Sequence, residues 1–227
     1  MERFEELVRA NQMLLTDWPK KEVDVLYVFE LSEGMVKSGK IFDVVIDDIY
    51  SKGLARHIAF NSSKGERYGG HVPGEGWPGS QWYIDNLTER YNRAYDRLSK
   101  NLVGKIFFLT EFACHTKQET DSLIKLMKEK QWRSVGLLTV AYHYPRAFMC
   151  LIKSMNTLDY PVKAYAMSPK TTNWWQPMKG SQRIEDTIPF NECIKDSRKT
   201  LEYIEKGFSC NFDELFHYLF NRTKLLR

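Results

Sequence analysis

Short apolar runs with almost no polar interruption recur along this chain, and they constrain its fold more than any other feature. Val23 to Phe29 reads V-D-V-L-Y-V-F, Gly104 to Thr110 reads G-K-I-F-F-L-T, and Ser134 to Ala141 reads S-V-G-L-L-T-V-A. A strand with one wet face alternates apolar and polar residues, whereas a strand covered on both faces stays apolar throughout. His57 to Asn61 and Val162 to Met167 add two shorter runs. Helical spacing separates them, over about 35–52, 80–98, from Lys117 onward and from Pro145 onward. Strands alternating with helices imply crossover connections, and hence a parallel sheet covered on both faces. The expected fold is α/β: a three-layer αβα, Rossmann-like domain around a mostly parallel sheet of about five strands. It is read as one domain over 1–227, with an N-terminal helix (about 2–15) and C-terminal helices (about 184–221) packed on it.

Local punctuation sharpens this reading. Ser32 can cap the helix after the first strand, and Gly53 ends it. Thr116 and Glu119 have capping-box spacing, which starts a helix at Lys117. Pro145 suits a first helical turn, and Asn211 with Glu214 opens the last helix. Nothing in the pattern gives the strand order.

A chain of 227 residues with 43% hydrophobic content fills one core well. Its net charge of +4 is spread, without a basic arm, a Lys/Arg block or zinc-finger spacing, so nothing supports nucleic-acid binding. Cysteines 114, 150, 193 and 210 form no C-x-x-C pair, which fits a reduced, cytoplasmic protein. No apolar run reaches the ~18 residues of a membrane span, and the first residues lack the layout of a signal peptide. Instead Phe4, Leu7, Val8, Met13, Leu14 and Leu15 suggest an amphipathic helix that packs on the domain or between subunits of a homo-oligomer.

Chemistry gathers in the segments that follow the strands. After the fourth, His143 and Arg146 stand three apart across a strand-to-helix turn, beside a fresh helix N-terminus. That setting binds anions and small ligands. Arginine offers a fork for phosphate or carboxylate, and histidine moves protons near neutral pH. The competing structural account pairs Arg146 with a carboxylate such as Glu111 and uses His143 to pin the turn. Glu111, Cys114, His115 and Thr116 follow the third strand, and parallel topology opens both loops on one sheet edge. Glu111 would orient the imidazole or hold a ligand hydroxyl, and the helix at Thr116 offers N–H groups to an anion. Cys114 beside a histidine has the makings of a nucleophile, although such cysteines are usually innocent.

Glu30, Ser32 and Gly34 follow the first strand, in a turn with neither a Walker loop nor a G-x-G-x-x-G pattern. Gly34 either admits a ligand close to the backbone or eases the turn. Residues 62–79 form a long Gly/Pro-rich loop carrying Arg67, Gly69, Gly70, His71 and Trp77. It can fold over a ligand with Trp77 stacked on it, or lie on the surface with Trp77 as its anchor. Asn173, Trp174 and Trp175 form a second aromatic loop, an opposing wall or a dimer contact. Glu30, Glu111, His115 and His143 would be a reasonable metal set. No H-x-x-x-H or H-E-x-x-H spacing supports one, and no metal is assigned.

The segments E111-F-A-C-H-T-K-Q-E-T120 and T139-V-A-Y-H-Y-P-R-A147 together resemble the YdcF-like proteins, a family of uncharacterised function that includes the ElyC- and SanA-like envelope proteins. The features carrying the resemblance are Glu111, Thr116 with Glu119, and the His143, Arg146, Ala147 turn, all within about 104–150. The resemblance implies a Rossmann-like domain, often tied to envelope metabolism in bacteria, with S-adenosylmethionine proposed as a ligand for some members. The chain departs from the family in lacking the membrane anchor many members carry. Its first turn, E30-L-S-E-G34, is also poorer in glycine.

The expected function is that of a hydrolase or transferase for a small phosphorylated or nucleotide-linked metabolite, with Arg146 on the phosphate, His143 moving the proton and Glu111 orienting it. The alternative is a non-catalytic binder of a nucleotide-like ligand or S-adenosylmethionine. A third reading makes the chain an assembly partner that docks through its N-terminal helix and Trp-rich loop.

Overall fold

The computed structural model describes residues 2–62, 79–95, 104–111, 113, 115–170, 172–179 and 186–224. Five strands, β1 (Val23–Val28), β2 (Ala55–Phe60), β3 (Ile106–Phe108), β4 (Ser134–Leu138) and β5 (Lys163–Ala166), form an all-parallel sheet in the order β3-β2-β1-β4-β5. In chain order the helices are α1 (Glu2–Leu15), α2 (Glu33–Ser38), α3 (Ile41–Asp43), α4 (Gly79–Tyr95), α5 (Thr116–Lys130), α6 (Tyr144–Thr157), α7 (Pro189–Glu205) and α8 (Phe212–Asn221). A short antiparallel pair, β6 (Met178–Lys179) with β7 (Asp186–Thr187), stands apart from the main sheet.

Burial on both faces explains the apolar runs. Val25 and Tyr27 of β1 join the core built with α1, α5, α6 and α8. Leu26 and Val28 join the opposite core, built with α2, α3 and α4. The architecture is thus the three-layer α/β sandwich that the sequence pattern requires.

Strand order is what places the site. The chain moves outward from β1 to β2 and β3, then returns to pair β4 against the other side of β1. Connections leaving β1 and β4 therefore diverge onto opposite faces, which opens a crevice at the carboxyl ends of those strands.

One expected helix is broken. The segment read as continuous over about 35–52 divides into α2, α3 and a π-helical stretch, Val44–Tyr50. Lys40 interrupts it with a left-handed backbone, φ 49°. Ser51 N–H then donates to Ile46 O and Leu54 N–H to Ile49 O, each across five residues. Val44, Val45, Ile46 and Ile49 are all buried there, and the wider turn accommodates this β-branched run, which crowds a regular helix.

Side chains cover the open edge of β5. Tyr218 hydroxyl accepts from Ala164 N–H at 2.7 Å and donates to Val162 O at 2.8 Å. Arg222 donates to Ala164 O at 2.7 Å, and Asp17 accepts from Ala166 N–H at 3.1 Å. These groups replace a sixth strand, and so protect an edge that would otherwise invite pairing. Leu7, Ala10 and Leu14 bury one face of α1 in the same layer, while Phe4 and Val8 are exposed. No helix among the described residues is long and apolar enough to cross a membrane.

Candidate active site

A cavity of about 240 Å³ lies in the crevice beyond β1 and β4. Each wall arises from a local rule. Beyond β1, Tyr83 of α4 fixes the turn: its hydroxyl accepts from Leu31 N–H at 2.7 Å and donates to Leu31 O at 2.6 Å. Ser32 caps α2, as the sequence indicates. Beyond β2, the Asn61 amide ties three segments together. It donates to Glu30 Oε2 at 2.8 Å and to Ala113 O at 2.9 Å, and accepts from Ala113 N–H at 3.1 Å.

Beyond β4 a single 3-10 turn, Ala141–His143, leads into α6, with Pro145 in its first turn. His143 and Arg146 consequently face one wall together. Opposite them, α7 presents Glu192, Asp196, Lys199 and Tyr203, spaced four, three and four residues apart along one helical face.

Arg146 and Asp196 dominate the electrostatics. Arg146 Nε donates to Asp196 Oδ1 at 3.1 Å, and Nη2 donates to the same oxygen. Nη1 donates to Thr116 Oγ1 at 2.8 Å, and the guanidinium lies 5.2 Å from the Tyr203 ring centre. Burial alone would raise the Asp196 carboxyl. The Arg146 charge leads what overcomes that and, with the hydrogen bonds Arg146 donates, holds it well below the usual carboxylate range.

His143 is tied into the same cluster. Arg146 Nη2 lies 3.0 Å from His143 Nδ1, and a guanidinium can only donate. Asp196 Oδ1 and Oδ2 each lie 3.4 Å from the same nitrogen, so Nδ1 either accepts from Arg146 or donates to Asp196. Burial, helped by the neighbouring Arg146 charge, lowers the imidazole below its ordinary value of 6.5. The ring is neutral at neutral pH and acts as an N–H donor rather than as a cation.

Glu119 departs from its expected role. The cap of α5 is His115, whose Nδ1 accepts from Gln118 N–H at 3.4 Å, and not Thr116. Thr116 and Glu119 do not form the capping box. Thr116 binds Arg146, while Glu119 Oε1 accepts from Tyr27 hydroxyl at 2.7 Å and Glu30 N–H at 3.1 Å. Buried partners on the sheet and α6 claim both side chains. Burial then pushes the Glu119 carboxyl up to about 8.

No protein-family model and no curated protein matches the chain. Among solved structures, it is similar to glucose-6-phosphate 1-dehydrogenase from Mycobacterium avium, at 16% identity and a TM-score of 0.36. That likeness covers 63% of this chain and 28% of the dehydrogenase chain.

The cavity brings together Glu30, His115, Thr116, His143 and Arg146 from the residues singled out by sequence. Glu111 is elsewhere: its side chain is 69% exposed and pairs with Lys125 at 3.4 Å, so it neither orients His143 nor meets Arg146. Gly34 lies within α2 and does not line the cavity. Trp174 packs against the α2–α4 layer, and Trp175 stacks on Phe190 outside the cavity. Arg67, Gly70, His71, Trp77 and Cys114 lie outside the described residues. No cluster of metal-ligating side chains occurs among the described residues.

Sequence reading missed Asn61, Tyr142, Asp196 and Lys199, and gave Glu119 a purely local task. A signal for α7 was present. Glu192, Asp196, Lys199 and Tyr203 form a titratable stripe at helical spacing in a helix that packs on the domain.

Proposed function

We propose that the chain is an enzyme that hydrolyses, or transfers a group from, a small phosphorylated or nucleotide-linked metabolite bound in the crevice beyond β1 and β4. The observation carrying this reading is the polar cavity at the point where strand order reverses, lined by ionisable groups from several elements. With Nδ1 accepting from Arg146, His143 offers Nε2–H to an oxygen that gains negative charge as its bond breaks. Arg146 and Asp196 are positioning residues that hold the imidazole ring in place through their contacts with Nδ1. All three guanidinium nitrogens already have protein partners, so the phosphate is assigned to the N-termini of α5 and α6, with Lys199 adding positive charge to the same lining. The resemblance to the YdcF-like proteins supports a small-ligand site here.

A second reading, a non-catalytic binder of a nucleotide-like ligand or S-adenosylmethionine, draws on one observation. The described lining holds no serine or cysteine, and its Thr116 hydroxyl is engaged by Arg146.

The test is a thermal-shift panel of nucleotides, nucleotide sugars, sugar phosphates and S-adenosylmethionine on wild type and Lys199→Ala. A ligand that binds the native state raises apparent stability with concentration. A phosphorylated class should stabilise wild type and lose its effect in the variant. Silence across all phosphorylated compounds would sink the proposal, and a shift confined to S-adenosylmethionine without turnover would favour the second reading.

A further inference from the structure

Glu119 stands in the first turn of α5 and yet reaches away from its own helix to β1. It is 7% exposed, and it lines the cavity. Both donors it accepts, Tyr27 hydroxyl and Glu30 N–H, fall on Oε1. The charged and titratable groups around it are Tyr27 and Glu30 from β1 and its exit, Tyr83 from α4 and Arg146 from α6. The cation among them, Arg146, is already matched by Asp196. Burial against that background, with the Glu30 charge adding to it, leaves Glu119 a neutral acid at neutral pH. An oxygen accepting two donors is the carbonyl end of such an acid, so the proton resides on Oε2.

Tyr142 supplies an independent observation. Its hydroxyl is buried, it lines the same cavity, and it has no hydrogen-bond partner among the described residues. Buried polar groups are nearly always paired, and an orphan in a cavity wall is a place where a water or a ligand oxygen can bond. Two neutral O–H groups thus line one cavity, beside the neutral His143 ring. Donors gathered in this way suit an oxygen acceptor and repel an ammonium group, and a carboxylic acid kept neutral by burial is one known means of supplying such a donor.

We propose that Glu119 works as a carboxylic acid, donating its Oε2 hydrogen, together with the Tyr142 hydroxyl, to an ester, phosphoester or carbonyl oxygen of the bound ligand. This rests on the cavity being the ligand site of the proposed function, and it adds the recognising group and the atom recognised. Ionisation of Glu119 removes the donor and sets a second negative charge beside Glu30. Affinity for an anionic ligand then falls about tenfold per pH unit once the acid has titrated.

Two measurements on the full chain test it. The first is carbon-13 NMR of protein labelled at the glutamate side-chain carboxyl, with Glu119→Gln identifying the resonance. A midpoint near pH 8 is expected, and a midpoint in the ordinary carboxylate range would overturn the proposal. The second is calorimetric binding of ribose 5-phosphate between about pH 7 and 9.5. Wild type should lose affinity about tenfold per unit in the upper part of that range, and Glu119→Gln should not. Tyr142→Phe should weaken binding at every pH and keep the wild-type pH dependence. Identical profiles for wild type and Glu119→Gln would overturn the proposal. If ribose 5-phosphate fails to bind at any pH, that counts against the phosphorylated-ligand reading, and the carboxyl midpoint decides Glu119 by itself.

Discussion

Arg146 and Asp196, fifty residues apart in the chain, form a buried ion pair that joins α6 to α7 across the cavity wall. Both its members are largely shielded from water, with side chains 13% and 8% exposed. Such a pair adds little to stability over a well-packed apolar pair, but removing one member strands the other's charge.

Asp196→Ala should therefore destabilise the fold by about 3–5 kcal/mol, read by urea unfolding at pH 7. The pH dependence has a definite sign. The Asp196 carboxyl is held below its ordinary value of 3.8, so its contribution is present above that pH and is lost as pH falls toward the folded-state value. Wild type should lose stability below about pH 4 more steeply than the variant. Parallel acid profiles would contradict the pairing.

Glu119 has the opposite sign. Its folded value of about 8 lies above its ordinary 4.5, so its contribution is full below 4.5 and disappears as pH rises through about 8. Melting temperatures of wild type and Glu119→Gln should diverge across that window, with wild type losing ground as pH increases. A constant difference would mean that Glu119 is ionised in the fold.

Tyr218→Phe removes the hydroxyl that bonds Ala164 N–H and Val162 O. A buried backbone group left unpaired costs about 1–3 kcal/mol. Urea midpoints should fall accordingly, and amide exchange at Ala164 should accelerate. An unchanged exchange rate would show that the edge is covered by other means.

Gly136→Ala places a methyl on β4 that would overlap Met167 Sδ and lie 3.5 Å from Leu26 Cδ1. Met167 is fully buried, so its thioether has little room to retreat. Overpacking of this kind costs about 1–3 kcal/mol. Thermal unfolding should register the loss, and a second substitution, Met167→Ala, should cost less in the Gly136→Ala background than in wild type. Additive losses would show that the two side chains do not meet.

Much of the scaffold was legible because its causes are local. A strand covered on both faces must be apolar along its length, which exposed β1, β3 and β4. Capping chemistry acts within four residues, which is why Ser32, Pro145 and the Asn211–Glu214 box read correctly. The Thr116–Glu119 spacing satisfied the same rule and misled. Tyr27, 92 residues away from Glu119, and Arg146, 30 residues away from Thr116, compete for those side chains. Glu111 misled for a related reason. It and Asp196 are both carboxylates, and only the placement of α7 against α6 decides which of them meets Arg146.

The sequence by itself determined the layers, the parallel sheet and the loop that carries His143 and Arg146, because hydrophobic periodicity and turn chemistry act over a few residues. Tertiary structure alone decided that β1 and β4 are neighbours and that Asp196 and Asn61 complete the site. It alone buried Glu119 against β1, where desolvation raises its carboxyl. Strand order depends on the packing of whole elements, and a pKa depends on what surrounds the group. Neither quantity is a property of a short stretch of chain.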